Sequence, residues 1–151
     1  MSYTIERRQT VPFQLAEVFG FFADPRNLSR ITPPWLGFRM LADGDVEMRE
    51  GLRLDYRIRP LGVPQRWTSL ISRWDPPRRF VDEQIRGPYQ SWHHLHEFRA
   101  VPGGTEIRDR VTYDLPLGAL GRLAHAIVVR RQLRTIFDYR ERAVARLLGG
   151  G

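Results

Sequence analysis

Two histidines one residue apart, His94 and His96, and the carboxylate of Asp109 are the side chains of this chain best placed to do chemistry. His94-x-His96 is a spacing that puts two imidazoles on one face of a strand, where they can ligate a metal with Asp109 as a third ligand. An imidazole oriented by a carboxylate is equally an acid–base pair. The same three groups can form a structural ion pair or orient the polar end of a bound molecule. The chain has no cysteine, so thiolate ligation and disulfides are excluded. With Asp109 the expected partner of His96, no tightly bound metal is expected, and no cofactor. Asp82 and Gln84, on the preceding strand, rank lower because the Gly87-Pro88 turn allows either face. No nucleophile elbow, phosphate-binding glycine loop or metal-binding helix motif is present.

The elements that position these groups can be placed from charge alone. With Pro102-Gly103 as central turn residues, Glu97 faces Arg108 and Arg99 faces Glu106. The other face then pairs Trp92 with Tyr113, His94 with Val111, His96 with Asp109, and Phe98 with Ile107. Slipping by one residue sets Glu97 against Asp109, which repels, and mixes the two faces. This register leaves Leu95 on the charged side. It puts two imidazoles and a carboxylate on an apolar face, where an unpaired charge costs several kcal/mol. A cavity holding water or a ligand resolves the conflict.

Around that hairpin, Tyr3–Val11 reads as a strand, and Pro12 precedes a helix with Leu15, Val18, Phe19 and Phe22 on one stripe. Leu28 and Ile31 mark a second short helix. Leu36–Ala42 is a strand, and Asp43-Gly44-Asp45 a turn. Leu52, Leu54, Tyr56 and Ile58 alternate with charged residues as a half-buried strand. In Gln65–Trp74 the two faces do not separate. Phe80–Ile85, Tyr89–Val101 and Thr105–Leu115 complete the strands, and the short turns imply an antiparallel sheet.

Leu117–Leu148 is the one long run compatible with a helix, stopped by Gly149 to Gly151. Its first apolar set (Leu120, Leu123, Ala124, Ile127) and its second (Leu133, Ile136, Phe137, Val144, Leu147) do not share a face at about 100° per residue. A bend or break between Val128 and Gln132 is therefore expected. Leu133–Leu148 would be gripped by the sheet, with Leu117–Val128 near the cavity mouth.

The 151 residues suit one domain, with a core that needs no staples. All 24 basic residues are arginine, giving a net charge of +7. They are scattered among 17 acids rather than clustered, so nucleic-acid binding is not expected. There is no apolar stretch of membrane-spanning length and Met1–Val11 is not a signal peptide, so a cytoplasmic protein is expected.

The order of elements, "FGFFADPRNLSRITPPW" and "GPYQSWHHLHEFRAVPGGTEIRDRVTYDLPLG" resemble the START-like (SRPBCC) superfamily, which includes birch-pollen-allergen-like proteins. More narrowly they resemble its bacterial polyketide cyclase/dehydrase-like branch. The resemblance implies an α+β helix-grip fold over residues 1–151: a seven-stranded curved antiparallel sheet around the C-terminal helix, with two short helices after the first strand. It also implies an apolar cavity for a lipid, polyketide, quinone or similar molecule, but no single reaction.

Three readings follow. In the first the chain binds a small hydrophobic molecule. Leu52, Leu54, Tyr56, Ile58, Trp92, Phe98, Val111 and Tyr113 would line the cavity, while His94, His96 and Asp109 orient a polar group. In the second it is a cyclase- or dehydratase-type enzyme with His96 and Asp109 as acid–base pair. In the third an apolar surface near Leu117–Val129 docks a partner, which includes a homodimer.

Overall fold

The computed structural model describes residues 2–41 and 47–149. The expected turn at Asp43–Asp45, Gly150 and Gly151 lie outside them. Seven strands form one antiparallel sheet: β1 (Tyr3–Val11), β2 (Arg39–Met40), β3 (Arg53–Ile58), β4 (Gln65–Asp75), β5 (Arg79–Arg86), β6 (Ser91–Val101) and β7 (Gly104–Asp114). Their spatial order is β1-β7-β6-β5-β4-β3-β2. The first strand pairs with the last at one edge, the chain then passes to β2 at the opposite edge, and the remaining strands follow as hairpins. Helix α1 (Leu15–Phe22) and a 3₁₀ helix (Pro25–Ile31) come after β1. The Asp24 side chain caps the 3₁₀ helix by accepting from the Arg26 backbone N–H. This is the helix-grip α+β fold.

The β6–β7 register matches the charge-based one residue for residue, from Val101 opposite Gly104 to Trp92 opposite Tyr113. Gly103 supplies the left-handed backbone the turn requires (φ 87°). Along β7 every second residue from Thr105 to Tyr113 is buried, so this strand shows the two-residue period that fixes its facing.

β4 does not behave this way, and the reason is visible. Its pairing with β5 shifts between Thr68 and Ser69 and again between Ile71 and Arg73. At the first the unmatched residue is Ile85 of β5; at the second it is Ser72 of β4, and there the alternation of β4 breaks. Trp67, Ser69 and Ile71 are buried, and after the second shift Trp74 packs against the core. Thr68 is buried on the other side, where its hydroxyl donates to Asp55. β2 is shorter than expected, because Pro34–Leu36 forms a 3₁₀ turn instead.

The C-terminal helix is continuous, so of the bend or break expected between Val128 and Gln132 the break does not occur. α2 (Gly118–Ala124) passes through one π-helical segment, His125–Val129, into α3 (Arg130–Leu148). The residues at both junctions keep right-handed helical dihedrals. The π segment, with its wider turn, is how the change of face is made. The second apolar set does pack on the sheet: Leu133, Phe137 and Val144 are buried. The first set does not. Leu120 and Ile127 are 67% and 63% exposed, and Leu117 and Leu123 are exposed too. Arg7 of β1 anchors the gripped half by donating to Asp138 (2.7 Å).

Candidate functional site

A cavity of about 480 Å³ lies between the sheet and α3. Its wall is aromatic: Trp67 meets Trp92 edge-on at 5.2 Å between ring centroids, and Tyr89 lies 4.8 Å from Trp92. Leu54, Tyr56, Ile58, Asp82, Trp92, His94 and His96 border it. The remaining expected lining residues do not. Phe98 is buried in a core with Phe19, Phe22 and Phe80, and Val111 packs with Leu133 and Phe137. Leu52 precedes β3 and does not border the cavity. The Tyr113 hydroxyl bonds to His125 Nε2 (2.7 Å) and does not reach the cavity; burial pushes its pKa up to about 12. Gln84 is used by the β5–β6 turn: its amide donates to the Tyr89 carbonyl (2.7 Å) and accepts from the Tyr89 N–H (3.0 Å). Asp109 lies behind the histidines rather than on the cavity wall.

At one side of the cavity the polar groups converge. Asp82 stands opposite His94 across β5–β6, and His96 opposite Asp109 across β6–β7. The short contacts run along the diagonals instead. His96 Nε2 is 2.6 Å from Asp82 Oδ2, and His94 Nε2 is 2.8 Å from Asp109 Oδ1. The directly opposite contacts are longer, 3.4 Å for His96 Nδ1 to Asp109 and 3.8 Å for His94 Nδ1 to Asp82. So the expected His96–Asp109 pair is displaced: His96 makes its short bond to Asp82, and Asp109 makes its short bond to His94. The imidazoles stack at 3.7 Å between centroids, and Phe80 stacks on the far face of His96 at 4.1 Å.

Arg140 of α3 completes the cluster. Its Nη2 donates to Asp109 Oδ1 (3.3 Å), and its guanidinium lies over the Phe22 ring (5.3 Å). It is only 9% exposed. The sequence reading missed it, although a signal existed: 133, 137, 140 and 144 keep helical spacing, so an arginine sits on the buried stripe. Ser69 was missed as well. It accepts from Trp67 Nε1 (2.9 Å) and shares a hydrogen bond with the Tyr56 hydroxyl (3.0 Å).

Burial acts on all of these groups, and their partners decide the outcome. Burial and the adjacent His96 push His94 down to about 4, against the pull of Asp109, so His94 is neutral at pH 7. Burial also works against protonation of His96, but hydrogen bonds to Asp109 and Asp82 outweigh it and raise its pKa. Burial alone would raise Asp109; Arg140 and His94 hold it well below the carboxylate range. Asp82 is lowered in spite of burial, chiefly by its bond to His96. Burial, reinforced by Asp82, keeps the Tyr56 hydroxyl protonated far above neutral pH.

Residues 11–137 match the family described as polyketide cyclase / dehydrase and lipid transport. The chain belongs to that family. Membership supports binding of hydrophobic small molecules in general. No curated protein matches the sequence. Among solved structures, one from Rhodobacter sphaeroides is 20% identical, with a TM-score of 0.67 over 96% of this chain and 91% of its own. A Chromobacterium violaceum protein is 16% identical, with a TM-score of 0.69 over 97% of each chain. The structure of Ara h 8.0201 is 16% identical, with a TM-score of 0.60 over 97% of this chain and 99% of its own. At these identities the likeness is one of fold, the START-like fold of the allergen relatives. Among the described residues, no helix is long and apolar enough to cross a membrane.

Proposed function

We propose that the protein binds a small, largely apolar molecule with a planar body, whose polar group meets His96, Asp82 and Tyr56. The observation that carries this reading is a cavity of about 480 Å³ with aromatic walls and polar groups gathered at one place. That size and lining suit a single small ligand held by apolar area and oriented by a few hydrogen bonds. Trp67, Tyr89 and Trp92 offer ring faces and edges to such a body. Native mass spectrometry of the gently purified protein should find a copurified small molecule, and titration with a hydrophobic fluorescent probe should saturate at one per chain. Ile136, half-buried on the cavity wall, gives the control. Ile136→Trp should weaken probe binding about tenfold or more while the unfolding midpoint stays near wild type. Unchanged affinity in that variant would remove the cavity from consideration.

A second reading has one observation in its favour. Two neighbouring carboxylates raise the His96 pKa, and His96 borders the cavity, a placement that suits a general acid in a cyclase or dehydratase. Asp82, rather than Asp109, is then its close partner. In this reading His96→Gln abolishes turnover of the copurified ligand class and weakens its binding far less.

A further inference from the structure

We propose that His94, His96 and Asp82 form a binding site for a divalent transition-metal ion such as zinc or iron(II), open toward the cavity. The three side chains come from two adjacent strands, and one ligand atom from each lies within 4.8 Å of the others. Tetrahedral ligands at ordinary zinc distances are about 3.4 Å apart. The contacts to Asp82 Oδ2, 2.6 Å from His96 Nε2 and 3.8 Å from His94 Nδ1, straddle that value. An ion between them therefore asks for side-chain adjustments on the order of an ångström and no movement of the sheet.

The arrangement behind these atoms makes the site specific. A histidine that ligates a metal uses one ring nitrogen and fixes the other by a hydrogen bond, most often to a carboxylate. Here a single carboxylate backs both rings: it bonds to His94 and approaches His96, whose Nδ1 also lies 3.5 Å from Arg140 Nη2. Asp109 Oδ1 lies 2.8 Å from His94 Nε2 and 3.4 Å from His96 Nδ1. Each ring thus turns its other nitrogen toward Asp82. Arg140 anchors Asp109 from α3 (3.3 Å), so the backing carboxylate is itself held in place. Phe80 stacks on His96, and Phe137 meets His94 edge-on at 5.8 Å, which restricts both rings.

The polarity of the site is also that of a reactive metal rather than a structural one. Asp82, His94 and His96 border the cavity, whereas Asp109 lies behind them. Two imidazoles and one carboxylate leave coordination positions vacant, and these face the space a ligand would fill. The fixed charges are two carboxylates and one guanidinium. A divalent ion leaves the cluster one charge positive with neutral histidines, which favours an oxyanion, an enolate or a phenolate on the ion. The expectation of no metal rested on the lack of a thiolate and on Asp109 as the partner of His96. With Asp82 at 2.6 Å in front and Asp109 at 3.4 Å behind, the second ground no longer speaks against an ion. The proposal does not depend on the ligand being hydrophobic, since the ion's three ligands come from the protein alone.

The test uses the intact protein, stripped with a chelator and titrated with zinc by calorimetry and with cobalt(II) by visible absorption. Saturable binding of one ion per chain is expected, with cobalt bands typical of nitrogen and oxygen ligands. Asp109→Asn should weaken binding ~10–100-fold. Asp82→Asn and His94→Gln should weaken it further, and the exposed His93→Ala should leave it unchanged. Circular dichroism identifies any variant that has not folded, and the wild-type titration decides the matter without them. Absence of one-to-one binding by the wild type would overturn the proposal, as would binding lost on His93→Ala or retained in both Asp82→Asn and His94→Gln.

Discussion

His96 bonds to Asp82 at 2.6 Å, across one hairpin and two positions along it, in preference to Asp109, which faces it directly and lies 3.4 Å away. Diagonal neighbours in a sheet are farther apart at the backbone than opposite ones, but long side chains bridge the gap. The imidazole is long enough to do so. Asp109 then makes its shorter contacts with His94 (2.8 Å) and Arg140 (3.3 Å).

That preference can be measured in chelator-treated protein. Asp82→Asn should lower the His96 pKa more than Asp109→Asn does, as read by NMR titration of the imidazole. If only Asp109→Asn moves it, the diagonal bond does not form in solution.

The two stacked histidines should titrate on opposite sides of 6.5. His94 is pushed down to about 4 and His96 is raised. A base whose folded pKa is depressed costs stability as pH falls, because the unfolded state takes up the proton first. His94 should therefore make the protein lose stability between about pH 6.5 and 4. The loss should reach up to ~3 kcal/mol, since each tenfold change in proton affinity is worth ~1.4 kcal/mol. His96 acts the other way: its contribution is complete below its unfolded value and is lost as pH rises through its raised folded value. Asp82 and Asp109, both depressed, contribute above the ordinary carboxylate range and lose that only at lower pH. His94→Gln should flatten the acid-side slope of urea-unfolding free energy. A slope identical to wild type would contradict the assignment.

Arg140 should prove structural as well as supportive of the site. Arg140→Leu leaves the buried Asp109 without its cation and should cost about 3–5 kcal/mol in chemical denaturation at pH 7. Arg140→Lys should recover part of this, since it restores charge but not the planar stacking on Phe22. A loss under about 1 kcal/mol for the leucine variant would mean that His94 and His96 suffice.

The two halves of the C-terminal helix should respond differently to substitution. Phe137→Ala removes a buried ring and should cost about 3–5 kcal/mol. Leu120→Asp and Ile127→Asp alter exposed positions and should stay within about 0.5 kcal/mol. Comparable losses at all three positions would show that the first half is buried in solution.

Much of this was already legible in the sequence. The β6–β7 register rests on two opposite-charge pairs and a strict two-residue alternation, both properties of a short stretch of chain. The strand count and the long helix follow from the same kind of local pattern, and the family resemblance covered the fold. The apolar cavity wall was legible only in part. Leu54, Tyr56, Ile58 and Trp92 border it, but Phe98, Val111 and Tyr113, on the same face, are taken up by other packing.

The sequence by itself determined which residues of β6 and β7 share a face, because side-chain direction along an unbroken strand follows from chain geometry alone. It determined where the sheet's last hairpin turns, because charges and Gly103 allow one register. Tertiary structure decided the chemistry of the cluster. Asp82 faces inward because β5 sets it opposite His94 of β6 on one side and the buried Ile71 of β4 on the other, pairings made between separate stretches of chain. Arg140 arrives from a helix 31 residues beyond Asp109 in the chain. Which imidazole takes which carboxylate depends on a diagonal reach across three strands, a distance that no local pattern encodes.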